Sequence, residues 1–310
     1  MATRTVIRAP EELCIYSNLT RTETLNFLNK IDSKLLILQE LIIVDLSSVK
    51  LATAAASLLL FAVINRAQLL LEDTNIVRFR LPNKTVNSEG HRYIVKTGLS
   101  RALQSGTISK LEELKNDEQY FQSSAEPNIH LFSTIEMLQS KANLNDEQLL
   151  LLSSGISEAM LNVSHHAYEH TDFASHVKTI GKRWWQCAWF DHLTDSTVFI
   201  IYDLGVGIFK SFTNFQKPTS PIYELEVMRT AFTLGKTRFG TPERGKGSED
   251  IKAPIHSMYA KRERLLVYSG RAEYTFTSDS EVAQTDYNPE FIPGTLVQWE
   301  LSPIREKSDD

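Results

Sequence analysis

Glu158, Asn162 and His166 stand at i, i+4 and i+8, a spacing that places them on one face of an α-helix. A carboxylate and a carboxamide one turn apart suit a magnesium-dependent site. Asn offers a neutral oxygen to Mg²⁺, which favours octahedral oxygen ligation and keeps several waters. Glu can orient or deprotonate an attacking water. Taken alone, the trio is equally the polar face of an ordinary amphipathic helix. Further on, Asp203-Leu-Gly205-Val-Gly207 closes an apolar run. A buried Asp at a strand end can accept a hydrogen bond from an exocyclic amine, and glycines let backbone approach a ligand without a Cβ. Arg244-Gly245-Lys246-Gly247 reads as a nest of backbone amides for an anion, with a helix start behind it. Lys236 and Arg238 lie in a flexible Gly235–Gly240 stretch, within reach of a phosphate or equally in a solvated basic loop. Pro293-Gly294-Thr295 ends the series as a turn entering a strand.

Competing chemistries fit less well. Gly235-Lys236-Thr237 invites a phosphate-loop reading, but Thr230 stands where that motif needs glycine. Gly205-Val-Gly207 lacks the third glycine and the helical context of a dinucleotide fingerprint. His165, His166 and His170 make zinc conceivable, yet no Glu follows His166 in a His-Glu-x-x-His arrangement and no Cys is near.

The elements that must position these residues are legible as patterns. Leu149, Leu152, Ile156, Met160 and Val163 form an apolar stripe, so a helix is expected from Asp146 to Tyr168. Trp184–Phe190 and Thr197–Tyr202 read as an antiparallel strand pair, Leu265–Gly270 and Tyr274–Phe276 as a hairpin, and Leu296–Leu301 as a last strand. Ile222 to Leu234 reads as a helix. Upstream, Leu41–Leu46 reads as a buried strand, the uncharged Leu51–Asn65 stretch as a buried helix, Ile76–Leu81 as a strand and His91–Leu103 as a helix. The domain limits that follow are 1–105, a linker or exposed helix over 106–128, a second domain over 129–304 and a polar tail over 305–310.

Composition is that of a soluble globular protein, with 42% hydrophobic and 23% charged residues. A net charge of -5 gives no global electrostatic case for nucleic acid. Cys14 and Cys187 imply neither a disulfide framework nor a metal spacing, and the expected location is the cytoplasm. Leu51–Asn65 is too short to span a membrane, which needs roughly twenty apolar residues.

The order Glu158-x-x-x-Asn162-x-x-x-His166, Asp203-x-Gly-x-Gly, Arg244-Gly-Lys-Gly and Gly294-Thr295 resembles the boxes of the GHKL superfamily, which includes gyrase, heat-shock chaperones and histidine kinases. The resemblance implies an ATP-binding domain of Bergerat type, an α/β sandwich with one mixed sheet covered by helices. On that basis Asn162 ligates Mg²⁺, Glu158 is the catalytic base, His166 faces the nucleotide, Asp203 reads the adenine amine and Thr295 lies near adenine. Gly205, Gly207, Lys236, Arg244, Gly245, Lys246 and Gly247 serve the nucleotide, and the resemblance implies that Phe209 to Glu243 is a mobile lid. The sequence departs from the family at Ser248, where a bulky apolar residue is usual, and at Glu249-Asp250, which set negative charge near the phosphates.

Val44-Asp-Leu-Ser-Ser-Val49 followed at once by a helix resembles a STAS-like domain, the fold of anti-sigma-factor antagonists. Where that family carries its phosphoacceptor turn, this chain has Leu51-Ala-Thr53-Ala-Ala, and Thr53 reads better as a helix cap. The whole is then an α+β protein, a small α/β STAS-like domain followed by the ATP-binding one. It implies a regulator that binds Mg-ATP and hydrolyses it slowly, its lid closure altering how a protein partner docks on the N-terminal domain; a homodimer is compatible with this. A serine/threonine kinase of the anti-sigma-factor type and a nucleotide-dependent interaction module without turnover are the alternatives.

Overall fold

The computed structural model of the chain describes residues 3–191, 196–233, 247–256, 263–285 and 291–303. The chain is a mixture of helices and several sheets divided into two units, one of residues 1–125 with 172–187, the other of residues 126–171 with 188–310.

In the first unit β1 (Thr5–Arg8), β3 (Ile42–Asp45) and β5 (Val77–Arg80) form a parallel sheet in the order β1-β3-β5. Two short strands, β2 (Glu12–Leu13) and β4 (Leu51–Ala52), pair in parallel beside it. Helices at Asn18–Asp32 and Ala54–Leu70 connect the strands. The second is buried over nearly its whole length, as its Ala- and Leu-rich composition requires. Thr53 caps it, its side chain accepting from the Ala56 amide at 3.4 Å.

Three features of this unit differ from the sequence reading. The strand β1 is not among the elements that reading expects. The helix expected over His91–Leu103 is broken into Ser88–His91, a wide turn at Arg92–Lys96 and Leu99–Leu103, interrupted at Gly98. The 106–128 segment, expected as a linker or an exposed helix, does contain a helix, Ile108–Asn116, with only Leu111 and Leu114 buried, but it also contains an unexpected strand, β6 (Phe121–Ser124), whose four residues are all buried. The first half of β7 (Trp184–Asp191) pairs antiparallel with β6, from Ser124↔Trp184 to Phe121↔Cys187. Residues 172–187, expected in the second domain, therefore belong to the first unit. Trp185 donates its indole N–H to Asn65 Oδ1 at 2.8 Å, a buried bond across 120 positions that no local pattern announces.

The second unit is built on β8 (Ser196–Asp203), β9 (Arg264–Gly270), β10 (Ala272–Thr277), β11 (Glu281–Thr285) and β12 (Ile292–Leu301), in the spatial order β11-β10-β9-β12-β8 with the end of β7 beyond β8. The pairs among β8 to β12 are all antiparallel, where a mixed sheet was expected. One reason is local: β9 and β10 are joined through Arg271 alone, a connection too short for parallel strands. Helices at Pro127–Lys141, Asp146–Asn162, Gly207–Phe212, Pro221–Ala231 and Gly247–His256 complete the unit. The Asp146 helix starts with a capping box, Asn145 and Gln148 bonding each other's backbone amides. No helix among the described residues is long and apolar enough to cross a membrane.

Candidate functional site

The Asp146–Asn162 helix continues as a wider turn, Val163–Ala167, and ends at Tyr168. Leu152, Ile156, Met160 and Val163 are buried, so the opposite polar stripe, with Glu158 and Asn162, is left at the edge of the core. Glu158 and Asn162 are hydrogen-bonded. A carboxylate only accepts, so the amide nitrogen of Asn162 donates and its Oδ1 is left for another partner. Burial pushes the Glu158 carboxyl above its ordinary range, and the Asp250 carboxylate adds to the rise; the Asn162 bond and His165 oppose it. A base moved toward neutrality is better matched to proton abstraction from water.

The Gly247–His256 helix packs on this stripe. A Cβ on Gly247 would fall 2.1 Å from Glu158 Oε1, so only glycine fits while the carboxylate keeps its place. Trp299 donates its indole N–H to the Ile251 carbonyl at 2.8 Å, and Lys252 donates from Nζ to the Phe232 carbonyl at 2.6 Å. Lys252 is buried, with Nζ 3.4 Å from Glu281 and 3.8 Å from Glu249, and it lies over the rings of Tyr274 and Phe276. These bonds fix the helix to the sheet and hold Asp250 near Glu158.

Asp203 is the last residue of β8 and is buried. Its Oδ1 accepts from the Gly205 amide at 2.8 Å. Burial pushes its pKa up to about 7, against the pull of backbone amides at Gly205 and Thr295. Thr295 on β12 is its cross-strand partner, and Thr295 is also opposite Ser269 on β9. Asp203, Thr295 and Ser269 thus form one row at the end of three adjacent strands. Gly294 makes this possible: its φ is +70°, and a Cβ there would sit 2.0 Å from the Asp203 carbonyl oxygen. Ser269 Oγ donates to the Gly294 carbonyl at 2.8 Å and accepts from the Ile208 amide at 2.9 Å, tying the turn after Gly207 to the turn at Gly294.

The Asp203 loop is anchored to the end of the Glu158 helix. The Val206 amide donates to the Ala167 carbonyl at 2.8 Å, and the Leu204 amide donates to the Tyr168 hydroxyl at 3.2 Å. Gly205 lies against Ala167. The helix that carries Glu158 and Asn162 therefore runs into the loop that carries Asp203, Gly205 and Gly207. His166, on the intervening turn, has Nδ1 3.6 Å from Glu169 Oε1 and its ring edge-on to His165.

Two clusters emerge, Glu158, Asn162 and Gly247 in one, Asp203, Gly205, Gly207 and Thr295 in the other. Lys236, Arg244, Gly245 and Lys246 lie outside the described residues, as does the stretch from Leu234 onward in the expected lid. Among the described residues no group of three His, Cys, Asp or Glu is placed to hold a metal ion. One carboxamide oxygen beside one carboxylate is the sparse protein contribution that Mg²⁺ accepts when phosphate and water supply the remaining oxygens. Ser269, Tyr168 and the Ala167 carbonyl were not among the expected site residues. Ser269 stands before Gly270 at the end of β9, a Ser-Gly pair that is a turn signal; the other two act through a hydroxyl and a backbone group that carry no motif. Comparison with protein-family models, curated proteins and solved structures finds no match to this chain.

Proposed function

We propose that the second unit binds Mg-ATP in the manner of the GHKL superfamily, hydrolyses it slowly, and uses the bound nucleotide to regulate docking of a protein partner. The observation that carries the reading is the junction of the two clusters. The Glu158–Asn162 helix ends on Ala167 and Tyr168, which hold the backbone of the Asp203 loop. In this reading Asp203 accepts a hydrogen bond from the adenine amine, with Thr295 beside it. Asn162 gives Oδ1 to magnesium. Glu158 takes a proton from the water that attacks the γ-phosphorus as the bond to the leaving ADP oxygen breaks. Asp203 at the end of an interior strand, next to a Gly294 turn that brings backbone close, suits a flat base better than an extended anion.

A sheet with helices packed on it supports the Bergerat-type reading, while the antiparallel pairs among β8 to β12 depart from the mixed sheet that reading expects. The first unit, a parallel three-stranded sheet with a long buried helix capped by Thr53, is read as a STAS-like docking unit. Thr53 accepts the Ala56 amide and donates to the Leu13 carbonyl, which favours a structural role over phosphoacceptance.

A second reading is favoured by Asp250, whose charge acts on Glu158 and would also oppose a triphosphate. In that case the protein binds nucleotide without turnover. Incubation of the purified chain with γ-labelled ATP and magnesium decides. Release of labelled phosphate that is lost in Glu158→Ala supports hydrolysis. Retained ATP without release supports the binding module, and label on a protein partner supports a kinase. Absence of any retained nucleotide overturns all three.

A further inference from the structure

The three-stranded sheet of the first unit has two unlike faces. Ile7, Ile42, Val44 and Val77 are buried on one. The register Val6↔Ile43↔Arg78 and Arg8↔Asp45↔Arg80 defines the other. On this second face Val6, Arg8, Arg78 and Arg80 are exposed. All-parallel sheets are almost always covered on both faces, so an open face on this one calls for an occupant.

Its chemistry is one-sided. Three arginines and one carboxylate occupy six positions, on a chain whose net charge is -5. The carboxylate, Asp45, is already committed: Oδ1 accepts from the Ser47 amide at 3.2 Å and hydroxyl at 2.6 Å, and Oδ2 is 3.3 Å from Arg80. Arg8 and Arg78 form no ion pair among the described residues. Arg78 and Arg80 project from the same strand about 7 Å apart, the side-chain repeat of one face of an extended chain. Like charges on neighbouring positions of one strand face repel each other, and of the two only Arg80 is offset, by Asp45.

We infer that this open sheet face binds an acidic segment of a partner protein, its carboxylates paired with Arg8, Arg78 and Arg80. An extended peptide presents alternate side chains at the same repeat as Arg78 and Arg80, and each guanidinium can grip a carboxylate through two parallel N–H bonds. Val6 and Ile43, in the same row as Arg78, provide an apolar seat beside the arginines for the partner's intervening residue. Single-stranded nucleic acid is less well served, because binding it relies on aromatic platforms for the bases and the six residues of this face include none. The inference rests on the reading of the first unit as a docking unit and is independent of nucleotide binding.

Fluorescence anisotropy of the full chain with fluorescein-labelled oligoglutamate, and with a labelled oligouridylate of equal length, tests it. Arg80 is left in place because it pairs with the buried Asp45, and circular dichroism checks that each variant is folded. The peptide should bind, weaken as salt rises, and lose roughly tenfold or more in affinity in Arg8→Glu/Arg78→Glu. The milder Arg78→Gln should fall between wild type and the double variant. Tighter binding of the oligouridylate would instead assign the face to nucleic acid. Peptide binding that ignores the arginine variants removes this face but leaves docking elsewhere on the unit. Failure of both probes to bind removes the face and the acidic-partner form of docking together, while ATP retention by the same preparation keeps the nucleotide reading separate.

Discussion

Gly247 and Glu158 share a space that holds a carboxylate and no methyl group: a Cβ on the glycine would lie 2.1 Å from Oε1 and 2.8 Å from the carboxyl carbon. What must move on substitution is the end of a flexible side chain, not backbone. Gly247→Ala is therefore expected to leave the melting temperature little changed while displacing Glu158 from its bond with Asn162. On the proposed mechanism, ATP turnover falls by roughly tenfold or more, part of the roughly hundredfold or greater loss that removing a general base causes. A scanning-calorimetry trace beside a phosphate-release assay checks both halves; a large stability loss would mean that the helix, and not the side chain, gives way.

Asp203 couples stability to pH. Its folded pKa is raised to about 7, by burial first, against about 3.9 for an unfolded Asp. Between those values the folded state holds a proton that the unfolded state has released, so this group makes the protein less stable as pH rises from about 4 to about 7, and the full cost remains above 7. Asp203→Asn removes the titration while keeping an acceptor oxygen for the Gly205 amide. Its stability relative to wild type should rise by on the order of a few kcal/mol from acid to about pH 8. Chemical denaturation at the two ends of that range measures it. ATP binding should weaken in the same variant, since an amide can present an N–H where the adenine amine needs an acceptor.

Lys252 is predicted to be a structural cation. It donates to the Phe232 carbonyl and stands near Glu249 and Glu281 over two aromatic rings. Lys252→Met keeps much of the stem but leaves the carbonyl without this donor and the two acids without their shared cation. Urea unfolding should show a loss of about 1–3 kcal/mol, the cost of orphaning a buried acceptor. An unchanged midpoint would mean that the ammonium contributes no net stability.

How much of this arrangement was legible follows from how local each signal is. Glu158 and Asn162 were readable because helical periodicity alone sets their shared face, and Asp203 because a β-branched run ends there beside glycines. The Asp203–Thr295 pairing was not: the two residues are brought together by strand register over 92 positions, and register is set by the packing of the whole sheet. Residues 172–187 were misplaced for a related reason. Their helix and strand have ordinary patterns, and only the Trp185–Asn65 bond and the β6 pairing show which unit they join. The broken 91–103 segment was missed because apolar spacing survives across Gly98, whereas helical hydrogen bonding does not.

Asp250 offers the sharpest separation of turnover from binding. Its carboxylate is the second cause, after burial, that raises the Glu158 pKa, and it lies on the helix that Gly247 begins. Neutralising it in Asp250→Asn removes one like charge, so the Glu158 pKa falls. A general base works only when deprotonated, and the acidic limb of the turnover profile must then move to lower pH. The same change takes negative charge away from the proposed phosphate site, so ATP affinity should rise. Glu158→Gln makes the contrasting pair: nucleotide is retained, turnover falls by roughly a hundredfold or more, and the acidic limb disappears. An acidic limb that stays in place in Asp250→Asn, or survives in Glu158→Gln, would assign the titrating base to another residue and remove Glu158 from the chemistry.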